Sequence, residues 1–216
     1  MTQTIRKIVP AAAIAAALLS AAPAANAQSS WGKQADDKSF AAMLQSGFQN
    51  AGTVTTDRLK QDETQAFCSN PAKANSKAGA KKAAEVEKAS LATVKYPADG
   101  KFLGDWKNGE KVAQSGRGLT WTDSATQANG GNCYNCHQID TKEISYGTIG
   151  PSLHNYGKLK GNTEQTQRET WAKIFNSKSN NACSNMPRFG HMGILKEQDM
   201  KDIMALLLDP NSPVNK

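Results

Sequence analysis

The chain has 216 residues, a length that allows one or two domains, and it carries 26 Lys and Arg against 19 Asp and Glu. The formal charge of +7 does not indicate nucleic-acid binding, because the lysines between Lys73 and Lys101 are diluted by alanine and lack interleaved aromatic residues. No stretch after the first 27 residues is apolar enough to cross a bilayer, so we expect no membrane span.

The first 27 residues have the features of a secretory signal peptide. Arg6 and Lys7 form a short basic start, residues 8–19 are almost continuously apolar, and residues 25–27 have the small-x-small pattern of a cleavage site. The apolar run is shorter than the roughly 20 residues that a bilayer span needs, which argues against an uncleaved membrane anchor. We therefore expect cleavage after Ala27, export to a bacterial periplasm, and a mature chain with 24 basic and 19 acidic residues, a formal charge of +5.

Residues 28–97 predict a helical N-terminal extension. Large apolar residues recur at helical spacing over residues 40–48 and predict a short amphipathic helix, and residues 80–91 predict a second, Ala- and Lys-rich helix. The segment contains too few large apolar residues for a core of its own. We therefore expect it to pack against the rest of the chain.

Residues 98–216 predict three longer helices and no convincing strand. The first runs from Trp106 to about Ser115, the second covers residues 169–176, and the third covers residues 196–208 before Asp209-Pro210. The residues expected to face inward are Trp106, Gly109, Val112, Ala113, Trp171, Ile174, Phe175, Met200, Ile203, Met204 and Leu207.

A Cys-x-x-Cys-His motif at residues 133–137 matches the attachment signature of c-type haem. Two thiols separated by two residues can each form a thioether with a vinyl group on the same edge of a porphyrin, so Cys133 and Cys136 are the predicted attachment sites. His137 follows directly, and its neutral imidazole nitrogen is the predicted axial ligand of the iron. We therefore predict one covalently bound haem c.

Three other interpretations of this motif fit the sequence less well. A thioredoxin-like redox pair requires a strand-to-helix context, but a Gly-rich loop precedes the motif. A zinc site requires a second Cys/His pair at short range, which the sequence lacks. A simple disulfide between Cys133 and Cys136 would leave His137 unexplained.

A Gly-Pro-x-Leu sequence at residues 150–153 follows the motif. In c-type cytochromes such a turn lies beside the proximal histidine, where the carbonyl of the proline can accept the imidazole N–H and fix the ring. A tight turn with no such role explains these residues equally well, so both interpretations stay open.

The sixth ligand of the iron has four candidates. Met186 is preferred, because it precedes Pro187 in a loop between two predicted helices, and proline stiffens such a loop. The alternatives are His191, Met192 and, close to the Gly-Pro turn, His154. Ligation by His and Met leaves the iron no open position, which favours electron transfer over gas binding and gives a higher potential than two histidines.

Cys68 and Cys183 lie far apart in the sequence, and an oxidising compartment permits a disulfide between them. Such a bond would connect the N-terminal extension with the loop that carries Met186. The alternatives are two free thiols, or one thiol that pairs with another chain.

Six short stretches of residues 96–216 together form a more specific pattern than the haem motif alone. They are Gly104-Asp105-Trp106, residues 130–137, Gly150-Pro151-Ser152-Leu153, Met186-Pro187-Arg188-Phe189-Gly190, Leu208-Asp209-Pro210 and Ser212-Pro213-Val214-Asn215. The set resembles the SoxX family, the monohaem c-type cytochrome subunits of the SoxAX complexes of bacterial sulfur oxidation. The region before residue 96 departs from the shorter members of that family.

The resemblance implies a function that the residues by themselves do not. It implies a heterodimer with a SoxA-like dihaem or monohaem cytochrome subunit, an L-cysteine S-thiosulfotransferase that oxidatively couples thiosulfate to a cysteine of the SoxYZ carrier. This chain would accept the released electrons and pass them to a small cytochrome c. Cys133 and Cys136 would attach haem, His137 and Met186 would ligate iron, and no catalytic residue or substrate-binding site is expected on this chain.

The expected architecture is all-α, with a signal peptide at residues 1–27, a helical extension at residues 28–97 and a class I cytochrome c-like domain at residues 98–216. Two other functions stay open, a free-standing periplasmic electron-carrier cytochrome c and a haem-based gas sensor. The basic surplus and the extension favour a permanent partner over a diffusing carrier.

Overall fold

The computed structural model describes residues 37–216, and every regular element in this range is a helix. The described residues belong to two units, residues 37–43 and residues 44–216. Extended pairing in the described range is limited to one isolated bridge in the N-terminal extension. The predicted all-α fold is thereby confirmed, whereas the predicted signal peptide and its cleavage after Ala27 lie outside the described residues.

Eight α-helices and four short 3-10 turns follow one another along this range. The helices are α1 (Asp37–Gly47), α2 (Glu63–Cys68), α3 (Pro71–Ala74), α4 (Lys77–Ala92), α5 (Trp106–Gln114), α6 (Tyr156–Lys160), α7 (Glu164–Phe175) and α8 (Glu197–Leu208). The 3-10 turns are Thr56–Leu59, Cys133–Asn135, Ser177–Ser179 and Pro213–Asn215. From residue 37 onward, none of the helices combines the length and the apolar character that a bilayer crossing requires.

The core of the C-terminal region lies where α5 crosses α8. A Cβ at Gly109 of α5 would overlap the carbonyl of Asp202 in α8, so the two backbones approach as closely as only glycine permits. Residues 200–208 are buried on all sides, because α5, α6, α7 and the 3-10 turn Pro213–Asn215 all contact α8. The predicted apolar stripe of this helix is confirmed, and the burial extends around its whole circumference.

α7 begins at Glu164, earlier than the predicted start at Glu169. Its first turns are polar and mostly exposed, so they carry no apolar periodicity from which a helix could be predicted. The start is marked instead by a cap, since the side chain of Thr163 accepts the N–H of Thr166 at 3.2 Å. The three apolar residues predicted to face inward are buried.

The N-terminal extension packs against the C-terminal region from α2 onward, as predicted. Between residues 44 and 97 only Gly79 and Pro97 are buried, so this segment has no core of its own. Its end is attached by the buried Trp171, whose Nε1 donates to the carbonyl of Lys95 at 2.8 Å.

α1 confirms the predicted helix near residue 40 but not the burial of its apolar face. Phe40 and Met43 are 51% and 55% exposed, and Phe48, just after the helix, is 45% exposed. The apolar periodicity therefore predicts the helix correctly but does not predict whether its apolar face is buried.

Cys68 and Cys183 form a disulfide with a Cα–Cα distance of 5.4 Å, which confirms the predicted intrachain bond. Cys68 is the last residue of α2, and Cys183 lies in the loop between α7 and α8. The bond joins residues 115 positions apart in the sequence, so it links the extension to a distant part of the fold.

We expect the double variant Cys68→Ser/Cys183→Ser to lose about 4–5 kcal/mol of unfolding free energy, because a long cross-link restricts the unfolded chain in the chain-entropy description. Denaturant unfolding of the holoprotein without reductant measures the change. The reduced and alkylated wild type is the control and should lose a similar amount. A loss below about 1 kcal/mol would show that the unfolded state gains little freedom.

Asp62, the N-cap of α2, forms a second link to the same loop. Its carboxylate lies 3.6 Å from Lys178 Nζ and 3.4 Å from Arg188 Nη2. Partial burial opposes the charged form, but the hydrogen bond from the N–H of Gln65 and the two cations outweigh it and hold the pKa of Asp62 below its ordinary value of 3.8.

This lowered pKa predicts an acid-dependent contribution to stability. A carboxyl whose pKa falls on folding stabilises the folded state above its unfolded pKa, and the contribution disappears as pH falls through the folded value. The stability difference between wild type and Asp62→Asn should therefore be largest above about pH 4 and shrink below it. Denaturant unfolding at pH 7 and pH 3 measures it, and a difference that stays constant with pH would contradict the assignment.

Candidate functional site

The motif at residues 133–137 forms a tight turn next to α5. The 3-10 turn Cys133–Asn135 is closed by the N–H of Cys136 and the N–H of His137, which both donate to the carbonyl of Cys133, at 3.1 and 2.9 Å. The preceding Gly131 donates its N–H to the carbonyl of Val112 at 2.8 Å, which attaches the turn to the end of α5. The two thiols and the imidazole are thereby presented from one short, hydrogen-bonded segment.

The His137 ring is oriented by the Gly-Pro turn. Its Nδ1 lies 2.7 Å from the carbonyl oxygen of Pro151. Because a carbonyl can only accept, Nδ1 carries the proton in this contact, and Nε2 keeps the free lone pair that a metal ligand requires. Of the two interpretations of residues 150–153, this geometry favours the one in which the proline carbonyl fixes the imidazole.

Gly150 leaves the space that the imidazole occupies. A Cβ at this position would overlap the His137 ring, and the backbone is held in place because the N–H of Gly150 donates to the carbonyl of Cys136 at 2.8 Å. Glycine is therefore required at this position by close packing against the His137 side chain.

We expect Gly150→Ala to displace the His137 ring and to lower the yield of holoprotein about tenfold or more. A displaced ring weakens the binding of haem, and a loss of about 1.4 kcal/mol of binding free energy corresponds to a factor of ten. The haem-to-protein ratio, measured from the absorption spectrum, follows the change. Gly161→Ala is a suitable control, since nothing lies within 4 Å of a Cβ there, although its φ of +75° adds some backbone strain. Equal holoprotein yields for Gly150→Ala and wild type would contradict this role.

Both cysteines of the motif, His137 and Met186 line one cavity of about 520 Å³. Its volume lies within the range of about 300–1,000 Å³ that small-molecule and cofactor sites occupy. The other lining residues are Gly131, Asn132, Asn135, Ile149, Gly150, Pro151, Lys173, Asn181, Cys183, Ser184, Asn185, Pro187 and Phe189. Two thiols, an imidazole and a thioether in one cavity are the donor set that a covalently attached, six-coordinate haem requires.

The structure separates Met186 from the other candidates for the sixth ligand, which do not line this cavity. His191 lines a different cavity, together with Trp171. Met192 is 58% exposed, and Nε2 of His154 lies 3.0 Å from its neighbour Asn155.

The surroundings of Cys133 argue against the thioredoxin-like and zinc interpretations. Burial, together with the nearby Cys136 and Glu110, raises the pKa of the Cys133 thiol to about 12, whereas a redox-active cysteine needs a lowered pKa. Among residues 37–216 no group of three or more His, Cys, Asp or Glu side chains could hold a metal ion by itself. A haem attached through the thiols needs neither a lowered thiol pKa nor a group of three metal-binding side chains.

One part of the site was not predicted from the sequence. Tyr134, inside the motif, donates its hydroxyl to the carboxylate of Glu110 at 3.0 Å and accepts the N–H of Asp140 at 3.1 Å. Burial raises the pKa of Glu110 and also that of Tyr134. A signal was available, because Glu110 is an acid four residues after Trp106, on the side of α5 that otherwise faces inward.

Two comparisons with known proteins found sequence matches to this chain. Residues 107–209 match the Cytochrome c family. The chain is also 39% identical over 159 residues to an uncharacterized lipoprotein of Aquifex aeolicus (strain VF5), a match that covers 72% of this chain and 73% of the relative. Because this match is longer than residues 98–216, it includes part of the N-terminal extension.

The family match covers the turn with the two cysteines, the imidazole and the loop with Met186. Cytochromes c carry covalently bound haem c, and the donor set in the 520 Å³ cavity fits that group. The helical fold, the cavity and the sequence match agree that residues 107–209 form a cytochrome c domain.

Proposed function

We propose that this chain is the monohaem c-type cytochrome subunit of a SoxAX-type thiosulfate-oxidising complex in a bacterial periplasm. The observation that carries the haem chemistry is the single cavity shared by Cys133, Cys136, His137 and Met186. The resemblance of residues 96–216 to the SoxX family supports the more specific role.

In this proposal each side chain has a separate task. Cys133 and Cys136 would each hold the haem through a thioether to a vinyl group, an addition in which the S–H proton moves to carbon and no atom leaves. His137 would ligate the iron through Nε2, while Pro151 holds its ring by accepting the Nδ1–H. Met186 would supply the second protein ligand of the iron. Bound in this cavity, the haem supplies one-electron exchange between its ferric and ferrous forms.

The arrangement suits electron transfer better than gas binding. Two protein ligands leave the iron no open position for a gas. When both ligands stay bound, the geometry around the iron changes little between the ferric and ferrous forms. Carbon monoxide tests this directly. The spectrum of the reduced protein should change little on exposure to the gas, and a rapid, complete shift would favour the sensor alternative.

The domain organisation in this proposal is a signal peptide at residues 1–27, an extension at residues 28–97 and a cytochrome c domain at residues 98–216. Export agrees with the apolar N-terminal segment and with a relative that is described as a lipoprotein. The disulfide also agrees with an oxidising compartment.

Co-purification tests the partner. A tag on this chain, expressed in its source cells, should recover a second haem-staining chain, the SoxA-like subunit, in a one-to-one ratio. The Cys133→Ser/Cys136→Ser variant serves as a control that separates haem on the partner from haem on this chain. Recovery of a monomer alone, even when both chains are co-expressed, would favour the free-standing electron carrier. Electrons should then pass from the complex to a small cytochrome c when thiosulfate and the SoxYZ carrier are added.

A further inference from the structure

We propose that the N-terminal extension positions the distal ligand: the Cys68–Cys183 disulfide and Asp62 hold the loop that carries Met186 against the haem site. The loop in question, residues 177–188, is called the distal loop below. This inference rests on the proposed ligation by Met186 and assigns the extension a task in it.

The distal loop has little structure of its own. Its regular part is the 3-10 turn Ser177–Ser179, and most of residues 180–187 are exposed or half-buried. Ala182, 1% exposed, is the one fully covered residue of that stretch. A segment with so few buried contacts needs other attachments to keep one side chain in a fixed place.

The extension supplies a covalent attachment close to Met186. Cys183 lies three residues before Met186, and both residues line the 520 Å³ cavity. Its partner Cys68 ends α2, so the disulfide ties this part of the loop to a helix of the extension.

Asp62 attaches the two ends of the distal loop to the start of the same helix. One carboxylate lies near both Lys178 and Arg188, at 3.6 and 3.4 Å. The carboxylate is itself held in place, because Gln65 donates its N–H to it at 2.7 Å while the side chain of Gln65 accepts the N–H of Asp62 at 2.7 Å. This reciprocal cap makes Asp62 a fixed acceptor for the two cations.

Two further contacts act between these points. The N–H of Ala182 donates to the carboxylate of Glu87 in α4 at 3.1 Å. The hydroxyl of Ser177 donates to the carbonyl of Met186 at 2.5 Å, which connects the ligand residue to the anchored start of the loop. Both α2 and α4 of the extension therefore hold the distal loop.

A positioning role predicts an effect on ligand exchange. An external ligand can reach the iron only when Met186 has left it, so the apparent affinity of that ligand is proportional to the population of the released loop. If the attachments keep that population low, their removal raises the apparent affinity by the factor by which the population rises.

Imidazole binding to the ferric holoprotein measures this population. For the double variant Cys68→Ser/Cys183→Ser we expect an apparent Kd about tenfold lower than for the wild type, together with a weaker thioether charge-transfer band. The double variant is chosen because it leaves no free thiol at position 183 to compete for the iron.

Asp62→Asn is the second variant and keeps the disulfide, so the test does not depend on the folding of the first. Asparagine caps helices as well as aspartate does, so this change removes the charge and preserves α2. We expect the apparent Kd for imidazole to fall here as well.

The matched control is Asp99→Asn, which removes an ion pair with Lys201 Nζ, at 3.1 Å, on α8 rather than on the distal loop. For the control we expect the wild-type Kd.

The outcomes separate this inference from the proposed function. Wild-type imidazole affinity in both test variants, with an intact charge-transfer band, would overturn the positioning role and leave ligation by Met186 standing. An equal gain in Asp99→Asn would also overturn it, because the effect would then follow general stability. A wild-type protein without the band would overturn ligation by Met186 itself, and the positioning role with it.

Discussion

Replacement of both Cys133 and Cys136 by serine should yield a protein without covalently bound haem. A serine hydroxyl does not form the thioether to a vinyl group, so the covalent attachment is lost while the turn, which depends on backbone hydrogen bonds, has no reason to change. The pyridine haemochrome assay and the intact mass of the purified protein measure the effect. Both should report haem in the wild type and none, after denaturation, in the variant.

The second pair of cysteines provides the matched control for this experiment. Cys68→Ser/Cys183→Ser also removes two sulfur atoms but leaves the motif intact, so it should keep its covalent haem. The single variants Cys133→Ser and Cys136→Ser should each retain haem through one thioether, at reduced yield. Covalent haem in the motif double variant, or a wild-type mass equal to that of the polypeptide alone, would contradict the assignment of the site.

Met186→Ala should remove the thioether charge-transfer band of the ferric protein and lower the reduction potential. A methionine sulfur favours the ferrous state, so its loss should lower the potential by on the order of 0.1 V, within the roughly 0.8 V over which axial ligands set haem potentials. The vacated position should also bind carbon monoxide in the reduced state. Absorption spectroscopy and a redox titration measure these changes.

Met192→Ala is the control for this prediction. Met192 lies on the same stretch of chain but is 58% exposed and does not line the cavity that contains the motif, so its removal should change neither the band nor the potential. If the band survives in Met186→Ala, the sixth ligand lies elsewhere. A surviving band would require another methionine sulfur, since His191 has no thioether and cannot produce it.

The features that could be predicted from the sequence are those that depend on residues close together along the chain. The Cys-x-x-Cys-His motif occupies five consecutive positions, and its predicted haem chemistry follows from the residue types and their spacing alone. α8 was predicted almost to the residue, since its apolar periodicity is complete and Asp209-Pro210 ends it. The first turns of α7 were missed, because an exposed polar helix has no periodic signal.

The features that the sequence left open depend on contacts between distant parts of the chain. Four residues could have been the sixth ligand, and the fold brings Met186 to the cavity of the motif while His191 faces another cavity. The partner of Cys183 was one of several possibilities until α2 was seen next to the distal loop.

The sequence by itself determined the all-α class and predicted thioether attachment at the two cysteines beside His137, because thioether attachment and helix formation are decided within a few neighbouring residues. Only the tertiary structure decided which methionine lines the cavity of the motif, how Pro151 orients His137, and how a disulfide links the extension to the distal loop. These arrangements join residues up to 115 positions apart, and the packing that brings such residues together depends on the whole core rather than on any local pattern.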